Sequence, residues 1–448
     1  MIDRRTFVGA MVGSAGLPLL GAAGATGDPK GCSPADGAWV GKKWTGWQKG
    51  RFQLHAIHTG VAESMFLIYP DGTTMLLDCG DHPAINRGNL AVPVLPNGGR
   101  HSGEWIARYV QRVNPAKTRV DYMVASHFHF DHTGSPTWCA GQRDGMPLSG
   151  FAQAAEWLSF GKAVDRGWPR YDDPAPIADR EASASRDLMC GLYRRLQARD
   201  GLKVEKFRLG ATDQFAPLHD ESVCPDFVVS NVCANGKIVC RDGSVRDLYA
   251  ERLGKGGSGW VNENGMSLGL LIRYGAFSLF TAGDFSDGWK TAEGGWFRTE
   301  DALADALPRV DVAKINHHGY RSMPIKLAEA LSPQVWFSCV WDQLHQSPDT
   351  MERLFAASHG DCLVCPTVFT PDRRWKDRDA AWSSIVADET RKGLHVVIDV
   401  PPGGKEFFVV FLDAADEEMR IVGRRRFVAS VKSSWHTIGV RTLGRRGK

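Results

Sequence analysis

Short apolar runs that end at glycine, proline or aspartate recur along the chain. They predict three hairpins, with strands at 65–69 and 74–77, at 267–274 and 277–281, and at 395–400 and 407–412. The turn of the first hairpin is Pro70-Asp71-Gly72, in which the proline sets the bend. Two more buried strands, at 120–126 and 310–315, each run directly into a cluster of polar residues. Strand ends are where αβ folds collect their chemistry, so these two clusters are the first candidates for a site.

Helical periodicity separates these strands. One helix is predicted at 104–113, where the apolar residues fall on a single face. Further helices are predicted at 186–198 and at about 325–331. The order of elements predicts an α/β fold with two strand-rich halves. The less regular stretch at 149–218 is interpreted as a helical and loop insertion that covers a site.

The composition is that of an enzyme-sized folded chain. Its 448 residues are 43% hydrophobic and 23% charged, enough to bury one large core or two modest ones. The net charge of +3 is too small to indicate nucleic-acid binding by itself. Positive charge is concentrated near the end, so 413–448 is predicted to be a basic C-terminal extension, either a solvated tail or a rim that attracts phosphate. Its basic residues after Gly423 are Arg424, Arg425, Arg426, Lys432, Arg441, Arg445, Arg446 and Lys448.

Residues 1–25 have the pattern of an export signal. Arg4 and Arg5 precede a glycine- and alanine-rich apolar stretch that ends in Ala23-Gly24-Ala25, a small-x-small cleavage pattern. The paired arginines resemble a twin-arginine signal. We therefore expect a periplasmic or secreted protein with no transmembrane anchor after the signal is removed. Ten cysteines would then reach an oxidising compartment, which predicts one or two disulfides.

The strongest chemical signal follows the strand at 120–126. Four residues of metal-ligand type stand there within six positions: His127, His129, Asp131 and His132. Alternate residues of an extended segment project the same way, so His127 and His129 can reach one ion. Asp131 and His132 then point to a second ion. Imidazole and carboxylate ligands without a thiolate suit Zn²⁺, Mn²⁺ or Fe in a catalytic site.

This run resembles the HxHxDH signature of the metallo-β-lactamase fold superfamily. The resemblance implies a four-layer αββα sandwich over 50–412, with one or two metal ions at its edge. It also implies that Asp78 braces the histidine loop and that Asp284 bridges the two metals. Either His317 or His318 would be the last histidine ligand, and the sequence does not decide between them.

Four more residues are weaker candidates. Many superfamily members carry another histidine between the HxHxDH run and the bridging acid, and His219 is the only histidine in that interval. His219 is therefore a possible ligand, without which the first metal site lacks a third histidine. His82 follows the first hairpin and is a candidate to support a ligand. Arg166 and Tyr171, from the insertion, are candidates for contacting substrate, Arg166 by pairing with a phosphate.

The motifs around 264–284 and 316–319 are nearer to the branch that contains the soluble domain of the DNA-uptake competence channel and the bacterial phosphorylcholine esterases. That resemblance implies a phosphodiester substrate, either nucleic acid or a phosphorylated cell-envelope component. Metal-activated water would attack it, oriented by Asp131 or Asp284. No obligate protein partner is evident from the sequence.

Two alternatives remain open at this point. The same metal centre would suit the ring opening of a β-lactam or lactone, and a hydrophobic pocket built from Trp157, Trp168 and Tyr171 would favour that substrate. The other alternative is a metal-binding protein without catalysis. The intact HxHxDH run argues against it.

Overall fold

The computed structural model describes residues 37–83, 92–256, 259, 261–286, 289, 290, 296–369 and 380–430. The predicted export signal at 1–25 and the basic residues beyond 430 lie outside the described residues. In the described part of the chain, no helix combines the length and apolar character needed to cross a membrane.

The described strands are β1 (Phe52–Ala56), β2 (Ser64–Ile68), β3 (Thr74–Cys79), β4 (Arg119–Val124), β5 (Gln142–Arg143), β6 (Met146–Pro147), β7 (Ser159–Asp165), β8 (Lys203–Lys206), β9 (Phe227–Ala234), β10 (Lys237–Val239), β11 (Val245–Asp247), β12 (Gly269–Tyr274), β13 (Phe277–Ala282), β14 (Trp289–Lys290), β15 (Trp296–Phe297), β16 (Val312–Lys314), β17 (Val335–Ser338), β18 (Leu363–Pro366), β19 (Leu394–Val400), β20 (Glu406–Asp413) and β21 (Ile421–Val428). The described helices are α1 (Ser102–Val113), α2 (Phe130–Thr133), α3 (Phe151–Ala154), α4 (Arg180–Asp200), α5 (Leu248–Gly254), α6 (Thr299–Ala306), α7 (Ile325–Leu331) and α8 (Pro348–Ser358).

Two large sheets form the centre of the molecule. The first has the strand order β21-β20-β19-β1-β2-β3-β4-β7-β8, and the second β11-β10-β9-β12-β13-β16-β17-β18. Each sheet is antiparallel in one half and parallel in the other, where β3, β4, β7 and β8 run together, as do β13, β16, β17 and β18. The parallel halves bring the carboxyl ends of several strands to one edge.

Side chains of the central strands are buried on both faces. In β2, Leu67 belongs to the core between the two sheets, whereas its neighbour Phe66 packs with residues of α1, α3 and α4. In β12, Leu270 faces the same inter-sheet core, and Leu271 packs with residues of α6, α7 and α8. Successive strand residues point to opposite faces, so strands covered on both sides have continuous apolar runs. These layers confirm the predicted four-layer αββα sandwich.

The three predicted hairpins are confirmed as β2–β3, β12–β13 and β19–β20. The predicted helices are confirmed as α1, α4 and α7, although α4 begins earlier, at Arg180, because the Asp179 side chain accepts a hydrogen bond from the Ala182 amide. The nine described cysteines are all free, so the expected disulfides are absent from the described residues.

Two segments differ from their predicted roles. The stretch at 149–218 adds β7 and β8 to the first sheet, and its helix α4 packs on the outer face, so most of it is part of the sandwich. The stretch after 412 contains β21, which pairs with β20 as an edge strand. In both cases alternating or continuous apolar residues are too few to predict a strand, and pairing with a neighbouring strand supplies the missing stability.

Candidate metal centre

The predicted ligands, and Asp78 as their predicted brace, meet at the carboxyl ends of strands. Asp78 lies at the end of β3, His127 follows β4, Asp284 follows β13 and His318 follows β16. The turn that carries the last of these is strained, since His317 and His318 adopt positive φ angles of 48° and 54°. Few residues other than glycine take this conformation, and it is concentrated at functional sites.

Two imidazoles and two carboxylates form the centre of the site. Oδ2 of Asp284 lies 3.0 Å from Nε2 of His132 and 3.0 Å from Nε2 of His318. Oδ2 of Asp131 lies 3.0 Å from Nε2 of His318 and 3.5 Å from Nε2 of His132. All four side chains are buried. The question left open by the sequence is decided geometrically: His318 enters this cluster.

The Nδ1 nitrogen of each imidazole already donates a hydrogen bond to the protein. Nδ1 of His132 donates to Oδ2 of Asp78 at 2.8 Å, and Asp78 in turn accepts from the Ser126 amide at 2.7 Å. Nδ1 of His318 donates to the carbonyl oxygen of Cys339 at 2.8 Å. An outer acceptor of this kind fixes the tautomer, so the Nε2 lone pair of each ring faces the carboxylates. Lone pairs and carboxylate oxygens at 3.0 Å repel each other unless a cation lies among them.

The pKa values respond to the same geometry. Burial opposes protonation of His132 and His318, but attraction to Asp284 and Asp131 outweighs it and holds both histidine pKa values well above their usual range. Burial also raises the pKa values of Asp131 and Asp284, yet the two imidazoles outweigh it and hold them well below the usual range. The cluster therefore requires positive charge, supplied either by protons or by a metal ion.

A divalent metal ion fits this donor set. Two nitrogens and two oxygens, with no thiolate, match catalytic zinc sites. Oδ1 of Asp284 is buried and accepts no hydrogen bond. Its negative charge faces Nζ of Lys314, which lies 3.7 Å away, beyond hydrogen-bond distance.

His127 and His129 form a second pair beside the first cluster. Nε2 of His127 lies 3.1 Å from Nδ1 of His129. Burial, together with repulsion from His132 and His129, holds the pKa of His127 well below its usual value, so this ring is neutral. Two nitrogens facing each other can hold an ion, which a further histidine would complete. The His132 ring lies beside His127, with centroids 4.1 Å apart, but its Nε2 faces Asp284.

His219 is not that third histidine, and its assignment as a possible ligand is wrong. Its Nε2 lies 3.1 Å from Oδ2 of Asp121, and the side chain is half-exposed. Asp121 also accepts from Thr74, the first residue of β3, so it marks the opposite edge of the sheet. From Asp121 to His127 the chain spans six residues, about 20 Å if extended.

Arg166 and Tyr171 do not contact the cavity, so the weak assignment of both to substrate binding is also wrong. Arg166 is fully buried and forms two parallel hydrogen bonds with Glu263, at 2.8 and 2.7 Å. Glu263 also accepts from the amide of Phe128, between the two histidines of the run, at 3.0 Å. The Tyr171 hydroxyl donates to Asp165 at 2.7 Å. Through Glu263, Arg166 thus supports the backbone of the HxHxDH loop.

Sequence reasoning missed three residues at the centre. Glu63 precedes β2, Lys314 ends β16 and Trp341 follows β17, and all three are buried. Nε1 of Trp341 donates to Oδ2 of Asp131 at 3.0 Å. For Glu63 and Lys314 the available signal was a charged residue beside or within an apolar strand, because lysine and glutamate are almost never fully buried unless paired. The sequence offers no such signal for Trp341.

Glu63 has a carboxylate oxygen within 4.8 Å of donor atoms of His132, Asp284 and His318, which makes it a geometric candidate for a fourth ligand. Its Oε2, however, lies 3.2 Å from Nδ1 of His318. Asp131 and Asp284 face the opposite nitrogen of that ring. We therefore place Glu63 on the Nδ1 side of the His318 ring, away from the ion, and retain Asp131 as the fourth ligand.

An open cavity of about 230 Å³ leads to the cluster. His82 lines it and stacks on Trp341, with ring centroids 4.8 Å apart, so His82 supports Asp131 through that indole. On another side, Nε2 of His317 lies 3.5 Å from the Asn264 amide nitrogen. The lining residues are His82, His129, Asp131, Glu181, Asn264, Asp284, His317, His318, Tyr320, Trp341 and His345, which include neither lysine nor arginine.

The basic residues of β21 are engaged elsewhere. Arg425 pairs with Glu389 at 2.9 Å and Arg426 with Glu406 at 2.6 Å, while Arg424 lies 3.7 Å from the centre of the Phe408 ring. These three arginines therefore pack and pair along the edge strand of the first sheet.

No protein-family model matches the sequence, and no curated protein matches it significantly. Solved structures with partial likeness include a mutant of the β-hydroxylase CmlA, at 14% identity over 64% of this chain and 45% of that protein, with a TM-score of 0.31. Zinc-bound PqqB from Methylobacterium extorquens is 13% identical over 68% of this chain and 85% of PqqB, with a TM-score of 0.29. Tm1679, described as a metal-dependent hydrolase of the β-lactamase superfamily, is 11% identical over 70% of this chain and 96% of its own, with a TM-score of 0.32. This chain spans less than half of the β-hydroxylase. Likeness at this level decides neither family nor activity. The donor set and the cavity of the site fit a metal-dependent hydrolase.

Proposed function

We propose that this protein is a hydrolase of small phosphodiesters that holds one divalent ion tightly, with Zn²⁺ preferred. The observation that carries the proposal is the arrangement of the His132 and His318 imidazoles. Their Nδ1 atoms donate to acceptors in the protein, and their Nε2 atoms face two carboxylates. Asp131, His132, Asp284 and His318 would hold the ion. His127 and His129 would hold a second ion, together with Asp284, which also serves the first. The second ion would therefore bind more weakly than the first.

The bound ion supplies an acidic water, since zinc lowers the pKa of water from about 15.7 to about 7. Residues of the protein itself would orient the nucleophile and supply the proton. Asp131 is fixed by Trp341 and by its position on the first turn of α2, so it can orient a nucleophile. Glu181 lines the cavity from the first turn of α4, and burial raises its pKa, which suits it to give a proton to a leaving group.

The cavity favours a small substrate over a polymer. Its volume of about 230 Å³ accommodates one reacting group with modest substituents. Nucleic-acid grooves track the backbone with lysine and arginine, whereas the described lining has neither. The neutral groups of Asn264, His317 and Tyr320 are placed to hold the oxygens of a single ester. The phosphodiester assignment itself is supported by the motif resemblance, which is an analogy.

Ring opening receives no comparable support. The three aromatic residues expected to form its hydrophobic pocket lie elsewhere, with Trp157 exposed on the surface, Trp168 packed with Tyr193 on the outer face and Tyr171 bonded to Asp165.

The experiment compares hydrolysis of bis-p-nitrophenyl phosphate with that of a chromogenic β-lactam, using mature protein of known metal content. We expect phosphodiester turnover that a chelator abolishes and Zn²⁺ restores, and that His132→Ala lacks. His219→Ala is the matched control, because that histidine lies outside the site. Turnover of the lactam alone would overturn the substrate assignment, and equal activity of His132→Ala and the parent would overturn the site.

We also propose that the protein is exported by the twin-arginine route, which the Arg4-Arg5 pattern supports. Cell fractionation of the full chain and of an Arg4→Lys/Arg5→Lys variant tests this. Retention of the variant in the cytoplasm is expected, and equal distribution of both would contradict the proposal.

A further inference from the structure

A fully buried ion pair lies behind the metal ligands. Nζ of Lys314 is 3.0 Å from Oε1 of Glu63, and neither side chain is accessible to solvent. We propose that Lys314 and Glu63 are positioning residues, which fix Asp284 and His318 in the geometry that binds a divalent ion. The inference rests on the metal centre of the proposed function and adds two residues to it.

Lys314 contacts the segment of Asp284 at two points. Its Nζ donates to the carbonyl oxygen of Gly283 at 3.2 Å and lies 3.7 Å from Oδ1 of Asp284. The ammonium group thus lies among the Glu63 carboxylate, the Gly283 carbonyl and the Asp284 carboxylate. Attraction of Oδ1 towards Lys314 leaves Oδ2 of Asp284 facing His132 and His318.

Glu63 performs the corresponding task for His318. Its Oε2 lies 3.2 Å from Nδ1 of that ring, whose hydrogen bond goes to the carbonyl of Cys339. Its backbone is joined to both ligand loops of the first sheet, because the Glu63 amide donates to the carbonyl of Asp131 at 2.8 Å and its carbonyl accepts from Gly80 at 3.3 Å. Glu63 therefore connects the HxHxDH loop with the histidine that follows β16.

These contacts close a ring. Lys314 reaches Asp284 directly and His318 through Glu63, and both of those residues face the ion. Two isolated charges in this interior would be unfavourable, so each member of the pair needs the other. Removing Lys314 leaves the Glu63 carboxylate unpaired beside His318, and removing Glu63 leaves Lys314 with Asp284 as its remaining charge partner among the described residues, whereas removing both leaves neither charge of the pair.

This asymmetry defines the experiment. Zn²⁺ dissociation constants are measured for the parent chain and for Lys314→Met, Glu63→Gln and the double variant, by competition with a chromogenic chelator at one pH. The absorption spectrum of the Co²⁺ forms reports ligand geometry. Lys237→Met is the matched control, since Lys237 pairs with Asp173 on the surface at 2.7 Å.

We expect each single variant to weaken Zn²⁺ binding about 10- to 100-fold and to alter the Co²⁺ spectrum, as outer partners of metal ligands commonly do. The double variant should bind more tightly than the product of the two single losses predicts, because no charge is left unpaired. Should Lys314→Met fail to fold, the double variant is compared with Glu63→Gln alone, and it should bind Zn²⁺ at least as tightly because no charge of the pair is left unpaired.

Single variants that bind Zn²⁺ within about threefold of the parent, or losses that simply multiply, would overturn the inference. No step of this test uses hydrolysis. A parent chain that binds Zn²⁺ and shows the expected coupling, yet cleaves no phosphodiester, would refute the proposed function and still support the role of the pair.

Discussion

Loading the site with Zn²⁺ should release protons from His132 and His318, and the number can be worked out from the geometry. Each ring donates through Nδ1 to a fixed acceptor, and each Nε2 lies 3.0 Å from a carboxylate oxygen. Attraction to Asp284 and Asp131 outweighs burial and holds the pKa of each ring well above its usual value, which favours a proton on each Nε2 when no metal ion is bound. The ion takes the place of both protons.

Zn²⁺ affinity should therefore rise with pH. A raised histidine pKa keeps the metal-free site protonated at neutral pH, so each lost proton makes metal binding about tenfold tighter for every unit that pH rises. Between about pH 7 and pH 8, where an ordinary histidine is already neutral, we expect two protons from the rings and up to one from zinc-bound water. The affinity should therefore rise at least about 100-fold over that unit.

Isothermal titration in buffers with different ionisation enthalpies counts the released protons directly. His219→Ala should leave the count unchanged, because that ring pairs with Asp121 away from the site. Release of one proton or fewer at pH 7 to 8 would refute the reasoning, since bound water alone accounts for that number.

Three further predictions concern the residues around the ion. After dialysis, His132→Ala should lose its tightly bound metal while His127→Ala keeps close to one equivalent, and equal retention measured by atomic absorption would contradict the assignment of one tight site. Glu181→Gln should lower kcat for a phosphodiester with a poor leaving group about 100-fold and leave Zn²⁺ affinity unchanged, which comparison with a p-nitrophenyl leaving group checks. Glu263→Gln breaks the buried pair with Arg166 and should lower the free energy of unfolding by about 3–5 kcal/mol, and a loss below about 1 kcal/mol in urea titration would show that the pair is not structural.

The fold was predictable because its signals are local. Apolar runs such as the one before Pro70-Asp71-Gly72 specify strands covered on both faces, and the helix at 104–113 shows its buried side by periodicity alone. β21 was missed, because its alternation is masked by Arg424, Arg425 and Arg426. An edge strand with arginines is stabilised by pairing with β20 and by distant partners such as Glu389, which its own sequence does not contain.

The weaker site assignments failed for a related reason. His219, Arg166 and Tyr171 are residue types that bind metals or phosphates, and their types were the only information available. Whether such a side chain reaches a cavity depends on which elements pack around it. In this structure His219 pairs with Asp121, Arg166 with Glu263, and Tyr171 with Asp165.

The sequence by itself determined the chemistry of the centre, because four ligand-type residues in six positions after a buried strand are brought together by the backbone alone. Only the tertiary structure decided that His318 rather than His317 joins them, and that Glu63 and Lys314 lie behind. The physical reason is distance along the chain: Glu63 precedes β2, whereas Lys314 and His318 lie at the end of β16 and in the turn after it. Sheet packing rather than local geometry therefore sets which of their atoms approach within 3.0 Å.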